Sequence, residues 1–382
     1  MNEAYISGIG FHPFGRFPDK TLKEIAGTAA LAALDDAGLT QDGVNAVFCA
    51  NAYAGLLNGQ ESIRGETWMR AIGVGGIPII NIENACAGGG SALHLATIAV
   101  RAGAYRRVLV VGAEKMFLGD TAPVLAALAT SSDLEVTAGV GMQFAALDAI
   151  RVKEVMNEEG VEEEALVWIA AKNHANGALN PIAQFRKGLN ADAIRTSRMI
   201  AAPIKLFMCS AISDGAAAVI VSAEPGRRRV RIRASALASA PVRTRQGTES
   251  TAVRAAKAAY SEAGLGPKDI DFAEVHDAVA PLELYYYRAL GLCRPGEVAR
   301  FVDEGRSARQ GALPVNTSGG LTARGHPVGA TGIAQIGELV LQISQDAGAR
   351  QIERARRGIA LNAGGWIGDD PAVNAVHILE QA

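Results

Sequence analysis

The chain has 382 residues, 49% hydrophobic and 20% charged, which is enough to bury a large core and favours two compact units over one. Its formal net charge of −2, with the signs interspersed, gives no field suited to nucleic acid or to an anionic membrane surface, and Arg227-Arg228-Arg229 reads as a solvated turn before a strand. No apolar run approaches the roughly 20 residues that span a bilayer. The cysteines at 49, 86, 209 and 293 show neither metal-ligand spacing nor a disulfide framework. Reduced thiols, a start without a charged leader and an ending, Leu-Glu-Gln-Ala, that is no peroxisomal address make a cytoplasmic location the expectation.

In chain order, Tyr5 to Phe11 reads as a strand. Leu22 to Ala37 places Ala and Leu at helical spacing and stops at Gly38, a natural C-terminal cap. Val44 to Ala50 reads as a strand, and Ile77 to Ile82 as a buried one. A turn of small residues follows, Asn84-Ala-Cys86-Ala-Gly-Gly-Gly90, and then an apolar helical pattern through Leu93, Ala96 and Val100. Cys86 thus falls on a strand-to-helix turn, where unpaired N–H groups and the positive helix end favour thiolate, lowering a free pKa of about 8.5. A lone Cys beside an apolar helix is by default inert core, so its chemistry depends on partners elsewhere in the chain.

The first stretch of the chain is written twice. Ala29 to Leu39 lines up with Ala255 to Leu265, and the strand after it with Ile270 to His276. Ile77 to Ile82 has a counterpart in Leu313-Pro-Val-Asn316, and Arg107 to Gly112 has one in Arg357 to Asn362. Each copy alternates strands with helices, which predicts mainly parallel pairing with crossover helices, the Cys86 and His326 helices meeting in the middle. The units expected are residues 1–114 with 207–224 as one half, 115–206 as an inserted lid or oligomerisation surface, and 225–382 as the other half. The insertion holds an Ala-rich helix pattern from Gly139 to Met156, an acidic stretch Glu158 to Glu164 and a polar run Lys172 to Pro181.

Two further stretches carry chemistry. Glu274-Val-His276-Asp-Ala-Val279 sets His276 at a strand end, and Asn316 to Gly332 sets His326 and Pro327 in a glycine-rich loop that needs an unusual backbone path. A Cys with two His at element ends suits thioester chemistry, one imidazole activating the sulfur and the other polarising the acyl partner. A zinc site built from Cys86, His276 and His326 is the competing reading, though glycines at helix starts suit oxyanions better than metal.

With these residues in hand, the chain resembles the thiolases over nearly its whole length. The resemblance rests on Asn84-Ala-Cys86-Ala-Gly-Gly, His276-Asp-Ala-Val, Gly325-His326-Pro-Val-Gly-Ala-Thr-Gly332 and Asn362-Ala-Gly-Gly365. Within that family, His276-Asp-Ala, Asn173 to Phe185 and Ser213-Asp-Gly-Ala-Ala resemble the sterol-carrier-protein-x branch. The resemblance implies an α/β fold of two duplicated βαβαβ halves in α-β-α-β-α layers with an inserted loop domain. It implies that Cys86 takes the acyl group, that His326 activates it and, with His276, lines an oxyanion hole, and that the N–H groups of Cys86 and Gly365 form a second hole. The activity implied is thiolysis of a 3-oxoacyl-CoA by free CoA, or the reverse Claisen condensation, with coenzyme A as substrate and no bound cofactor or metal. Retro-aldol cleavage of a 3-hydroxyacyl-CoA and a non-catalytic acyl-CoA or lipid carrier remain as alternatives. A homodimer is implied, and a small zinc-ribbon and OB-fold accessory subunit accompanies some members. One departure stands out: many thiolases carry a second Cys two residues before the glycine aligned with Gly365, and here that residue is Ala363.

Overall fold

The structure, a computed structural model, describes residues 2–141, 143–242 and 249–382. Its centre is a nine-stranded sheet built from β1 (Tyr5–Gly15), β2 (Ala46–Ala50), β3 (Ile79–Ile82), β4 (Arg107–Glu114), β7 (Asp214–Ser222), β8 (Val230–Ser239), β9 (Phe272–Glu274), β10 (Arg357–Gly364) and β11 (Val373–Gln381). A separate hairpin is formed by β5 (Met199–Ala201) and β6 (Ile204–Lys205). The order β3-β2-β4-β7-β1-β8-β11-β10-β9 is two similar half-sheets joined edge to edge through the short pairing of Tyr5 and Ile6 with Arg231 and Val230.

The repeat is visible in the elements themselves. The helices Leu22–Asp36 and Thr251–Ala263 both lead into a glycine in the left-handed region, Gly38 at φ 65° and Gly264 at φ 66°. The strand that follows the first, β2, pairs in parallel with β4, and the strand that follows the second, β9, pairs in parallel with β10. Parallel pairing stops there and at β2–β3; the returning strands β7 and β11 run antiparallel to their neighbours, so the sheet is mixed. The expected counterpart of β3 survives only as a single bridge between Ala273 and Val315. And β3 itself is half-exposed at the sheet edge, with Ile80 41% exposed, because among the described residues no strand pairs with its outer side.

Side-chain alternation along the strands sorts the core into layers. Val108 and Val110 of β4 face the middle with Leu93 and Ala96 of the Cys86 helix (Gly88–Arg101) and Ile333 and Leu339 of the His326 helix (Thr331–Ile343). Leu109 and Val111 face outward onto Ile25, Ala29 and Ala33 of the first helix. In the second half Ile359 and Leu361 face outward onto Ala255 and Ala259. The order helix, sheet, helix pair, sheet, helix is therefore what the burial of each strand's two faces requires.

The two halves close tightly on glycine. A Cβ on Gly329, just before the His326 helix, would lie 2.7 Å from the carbonyl oxygen of Ala50 at the end of β2. Gly329→Ala is accordingly expected to cost about 1–3 kcal/mol of stability, through the backbone shift it forces; thermal unfolding of the variant against the parent measures it.

The stretch 115–206 differs from the expected picture in one respect. Lys172, Asn173 and Asn176 belong to a helix, Glu163–Ala178, and are buried. Each has a partner in the second half: Lys172 Nζ meets Glu283 at 2.8 Å, Asn173 donates to Asp277 at 2.9 Å and Asn176 donates to the Asn316 carbonyl at 3.0 Å. These bonds make burying such groups tolerable, with Asn173 Oδ1 alone of their buried side-chain polar atoms left unpaired among the described residues. Among the described residues no helix is long and apolar enough to cross a membrane.

Candidate active site

Cys86 sits on a single 3₁₀ turn, Ala85–Ala87, immediately before its helix, and the turn is entered through Ala85 at φ 47°, a conformation uncommon for a residue with a side chain. Opposite it, His276 follows β9, and His326 precedes the start of its own helix. A Cβ on Gly332 would lie 2.6 Å from the Gly90 nitrogen, so the two helix starts touch backbone to backbone. That contact brings Cys86, His276 and His326 together: one ligand atom from each lies within 4.8 Å of the others. The imidazoles meet edge to face, with centroids 5.2 Å apart. Tyr53, Met116, Val124, Ala127 and Val328 wall the sulfur, and the helix Ala122–Ala129 supplies two of them.

Hydrogen bonds fix the tautomer of each ring. Asn362 Oδ1 accepts from the Gly90 N–H at 3.2 Å, which turns the amide nitrogen of Asn362 towards His276 Nδ1, also at 3.2 Å. His276 Nδ1 is therefore an acceptor, and its proton is on Nε2. Thr331 Oγ1 gives its hydrogen to the Pro327 carbonyl at 3.1 Å and lies 2.6 Å from His326 Nδ1, so that nitrogen donates and Nε2 keeps its lone pair. The site thus offers the sulfur one imidazole base and one imidazole donor. A zinc ion would need a lone pair on both outward nitrogens, and the Asn362 amide denies it one.

Electrostatics modify the expectation for the thiol. Burial first, and the carboxylates Glu114 and Asp148 after it, push Cys86 up to about 12. The helix start, a favourable effect of at most ~2 kcal/mol, does not outweigh this desolvation. Burial, with the Arg324 cation second, lowers His326 to about 3, and burial with the His326 and Arg324 charges takes His276 well below its usual value. Free of substrate, the site holds a thiol and two neutral imidazoles.

Strand register separates Ala363 from its neighbour. Ala363 packs with Ile359 and Leu361 in the outward cluster of the second half. Asn362, 1% exposed, reaches Gly90 and His276. A Cβ on Gly364 would lie 2.4 Å from both the Ala87 nitrogen and the Asn84 oxygen, so β10 ends directly against the Cys86 turn. Gly365 follows at φ 62°, and among the described residues neither its N–H nor that of Cys86 donates to another residue's backbone or side chain.

Glu114 and Asp148 escaped sequence reasoning, and Asn362 and Asp277 entered it only as members of motifs, without a role. Asp277 accepts from Leu321 N at 2.7 Å and Thr322 Oγ1 at 3.0 Å, pinning the His326 loop to the His276 segment. Glu114 accepts from Ala52 N at 2.6 Å and Gly329 N at 3.3 Å and so clips the halves together behind the site. For Asn362, Asp277 and Glu114 the signal was placement in or just after a strand, where functional groups collect; Asp148, on a helix, carried no such signal. Asn362→Ala is expected to release the His276 tautomer and lower kcat by about 10–100-fold with little change in KM; steady-state kinetics, with ¹⁵N spectra of the imidazoles as the tautomer readout, check it.

Asp148, on the helix Phe144–Glu159, is 6% exposed, and burial pushes it up to about 7 against the opposing pull of Arg151. A raised folded-state value means the stability tied to the neutral carboxyl is complete below its ordinary pKa near 4 and lost as pH rises through about 7. Asp148→Asn is expected to raise stability by about 1–3 kcal/mol at pH 8 and to change it little at pH 4; urea unfolding at the two pH values decides it.

Comparison with known proteins agrees with the geometry. Residues 5–195 match the family described as "Thiolase, N-terminal domain", and residues 236–381 match "Thiolase C-terminal domain-like". The chain is 37% identical over 390 residues to an acetyl-CoA acetyltransferase of Methanothermobacter thermautotrophicus, covering 100% of both chains. It is 33% identical over 370 residues to the benzoylsuccinyl-CoA thiolase subunit BbsB of Thauera aromatica, covering 93% of this chain and 92% of that one. Bovine sterol carrier protein 2 is 31% identical over 386 residues, 95% of this chain and 70% of the relative. Among solved structures the "Ltp2-ChsH2(DUF35) aldolase" superposes with a TM-score of 0.80 at 23% identity, over 99% of this chain and 98% of that chain, which speaks for the fold alone. The chain belongs to the thiolase family, on the sterol-carrier-protein side of it, and is an acyltransferase that uses coenzyme A as substrate.

Proposed function

We propose that the chain cleaves a 3-oxoacyl-CoA through an acyl group carried on Cys86. The observation that supports this most is the pairing of one imidazole lone pair and one imidazole N–H around a single sulfur. His326 Nε2 takes the thiol proton as Sγ attacks C3, and the oxygen of C3 gathers charge against the N–H groups of Cys86 and Gly365. The C2–C3 bond then breaks, its electron pair passing to C2 as a thioester enolate whose oxygen faces His276 Nε2–H and the protonated His326. The proton held by His326 goes to C2; His326 Nε2 then takes the proton of the CoA thiol as its sulfur adds to the acyl-enzyme carbonyl, the carbonyl–Cys86 bond breaks, and the departing Cys86 sulfur recovers that proton. The same parts run backwards as a Claisen condensation. In this scheme Ala363 has no part, and the proton delivered to C2 is the one His326 removed from Cys86.

A panel of 3-oxoacyl-CoA substrates assayed for CoA-dependent cleavage, with the parent and Cys86→Ala in parallel, tests the reading. The missing second thiol also fits retro-aldol cleavage of a 3-hydroxyacyl-CoA; cleavage that survives Cys86→Ala would favour that course. Residues 1–114 with 207–224, 115–206 and 225–382 are proposed as the working units.

The exposed edge of β3, with Ile80 41%, Leu95 42% and Ile98 50% exposed beside it, supports a homodimer formed by sheet continuation. Light scattering of the purified chain measures its mass. The likeness to a structure described with a DUF35 partner supports an accessory subunit, which co-purification from the native source would reveal. Unpaired cysteines at 49, 86, 209 and 293 support a reducing, cytoplasmic setting.

A further inference from the structure

The polar run Lys172 to Phe185 has no role in the acyl-transfer scheme, yet it lies along the loop from Asn316 to His326. Asn176 Nδ2 donates to the Asn316 carbonyl at 3.0 Å, and Asn180 Nδ2 to the Ser318 carbonyl at 2.8 Å. The N–H groups of Phe185 and Gln184 donate to the carbonyls of Ala323 and Arg324, at 3.1 and 2.9 Å. A Cβ on Gly319, at φ 98°, would lie 2.6 Å from Gly177 Cα, so helix and loop touch backbone to backbone. At the far end Ser213 Oγ accepts from the His326 N–H at 3.0 Å and donates to Gln184 Oε1 at 2.6 Å.

Asn173 ties that loop to the His276 segment as well. Both hydrogens of its Nδ2 are used, one on Asp277 Oδ2 at 2.9 Å and one on Glu283 Oε1 at 2.6 Å. Asp277 follows His276 directly, and its carboxylate accepts from Leu321 and Thr322 of the short helix Gly320–Arg324 that leads to His326. Glu283 accepts from Asn316 Nδ2 at 2.8 Å, and Asn316 Oδ1 in turn accepts from the N–H of Val275, the residue before His276, at 2.8 Å. Two carboxylates, both 0% exposed, thus lace the histidine segments together, and the Asn173 amide stands between them. Burial, and Glu283 after it, push Asp277 upward, so a donor shared by the pair relieves a real repulsion. The arrangement leaves Asn173 Oδ1 buried without a partner among the described residues. A stranded acceptor weakens the fold, so it is the two donor bonds that set how this amide is turned.

We infer that the run Asn173 to Gln184 is a splint for the base: it fixes where His326 Nε2 stands relative to Cys86 and His276, with Asn173 and Asn180 as positioning residues. None of these residues walls the sulfur or meets it, so they act through the loop and not on the substrate. The inference rests on His326 being the base of the acyl transfer. Its physical ground is the steep dependence of reaction on geometry, a misplacement of about 1 Å costing on the order of 100-fold in rate.

Asn173→Leu and Asn180→Ala in the intact protein test it, with turnover counted per Cys86 able to take an acyl group, so that loss of folded protein does not register. The expected result is a kcat lowered by about 10–100-fold in Asn173→Leu and by about 3–10-fold in Asn180→Ala, with KM within about twofold of the parent. The ¹⁵N resonances of the His326 ring are expected to move in both. Asn180→Ala removes one bond to the loop and one within its own turn and leaves every charge in place, so it carries the test should the first variant not fold. Parental kcat per competent Cys86 in either variant that folds, whatever happens to its melting temperature or KM, would overturn the splint. His326→Ala run alongside separates the splint from the scheme it serves. Full kcat there overturns both, whereas loss there with parental kcat in the splint variants overturns the splint alone.

Discussion

Replacing Cys86 with alanine is expected to lower CoA-dependent cleavage of a 3-oxoacyl-CoA by on the order of 10⁵-fold, the scale seen when a nucleophile is deleted from a preorganised site. The parent, exposed briefly to substrate without CoA, is expected to carry one acyl group, and mass spectrometry of its peptides should place that mass on Cys86. Cys49 is a useful internal control. It is buried beside Gly65, with burial pushing its thiol far up, so it is expected to stay unmodified. Acyl mass on Cys49 or Cys209, or full activity in the alanine variant, would remove the covalent scheme.

The second large effect concerns His326. His326→Ala is expected to lower kcat by about 10³-fold, since it removes both the base for the thiol and the donor to the enolate. The pH dependence is more telling than the size of the loss. With Cys86 pushed up to about 12 and His326 down to about 3, the thiol and the neutral imidazole coexist across the neutral range. The proton therefore moves only once substrate has arrived, and kcat/KM is expected to be flat from about pH 6 to 9. A rising limb near pH 7 that vanishes in His326→Ala would mean that the thiolate and imidazolium form beforehand, and the scheme would have to start from them. The flat profile also implies slow alkylation of the resting thiol, because the thiolate is the reacting species.

The duplicated architecture was legible because its markers are local. A helix that stops at a left-handed glycine leaves the same trace at Gly38 and Gly264, and the alternation of small apolar residues around each survives divergence. The meeting of Cys86 with His276 and His326 could be anticipated because strand ends of both copies point the same way. What escaped notice depends on register or on tertiary partners. Ala363 and Asn362 are adjacent in sequence, and only the pleat of β10 decides which one reaches His276. The apolar run before Cys86 looked buried, yet β3 lies at a sheet edge, which no pattern within the strand reveals. Lys172, Asn173 and Asn176 read as part of a polar run in the insertion, and their carboxylate and carbonyl partners lie more than a hundred residues on. The thiol was expected to be acidic from its place on a helix; how deeply the surrounding apolar wall would desolvate it was not written in the turn.

The Cys86 and His326 helices occupy matching places in the two copies, yet one brings a nucleophile and the other a base. A symmetric pair of identical ancestral subunits would have had to present the same side chain twice across its axis, two sulfurs or two rings. Linking the copies into a single polypeptide lifted that constraint, so that one gene could divide complementary labour between formerly equivalent positions.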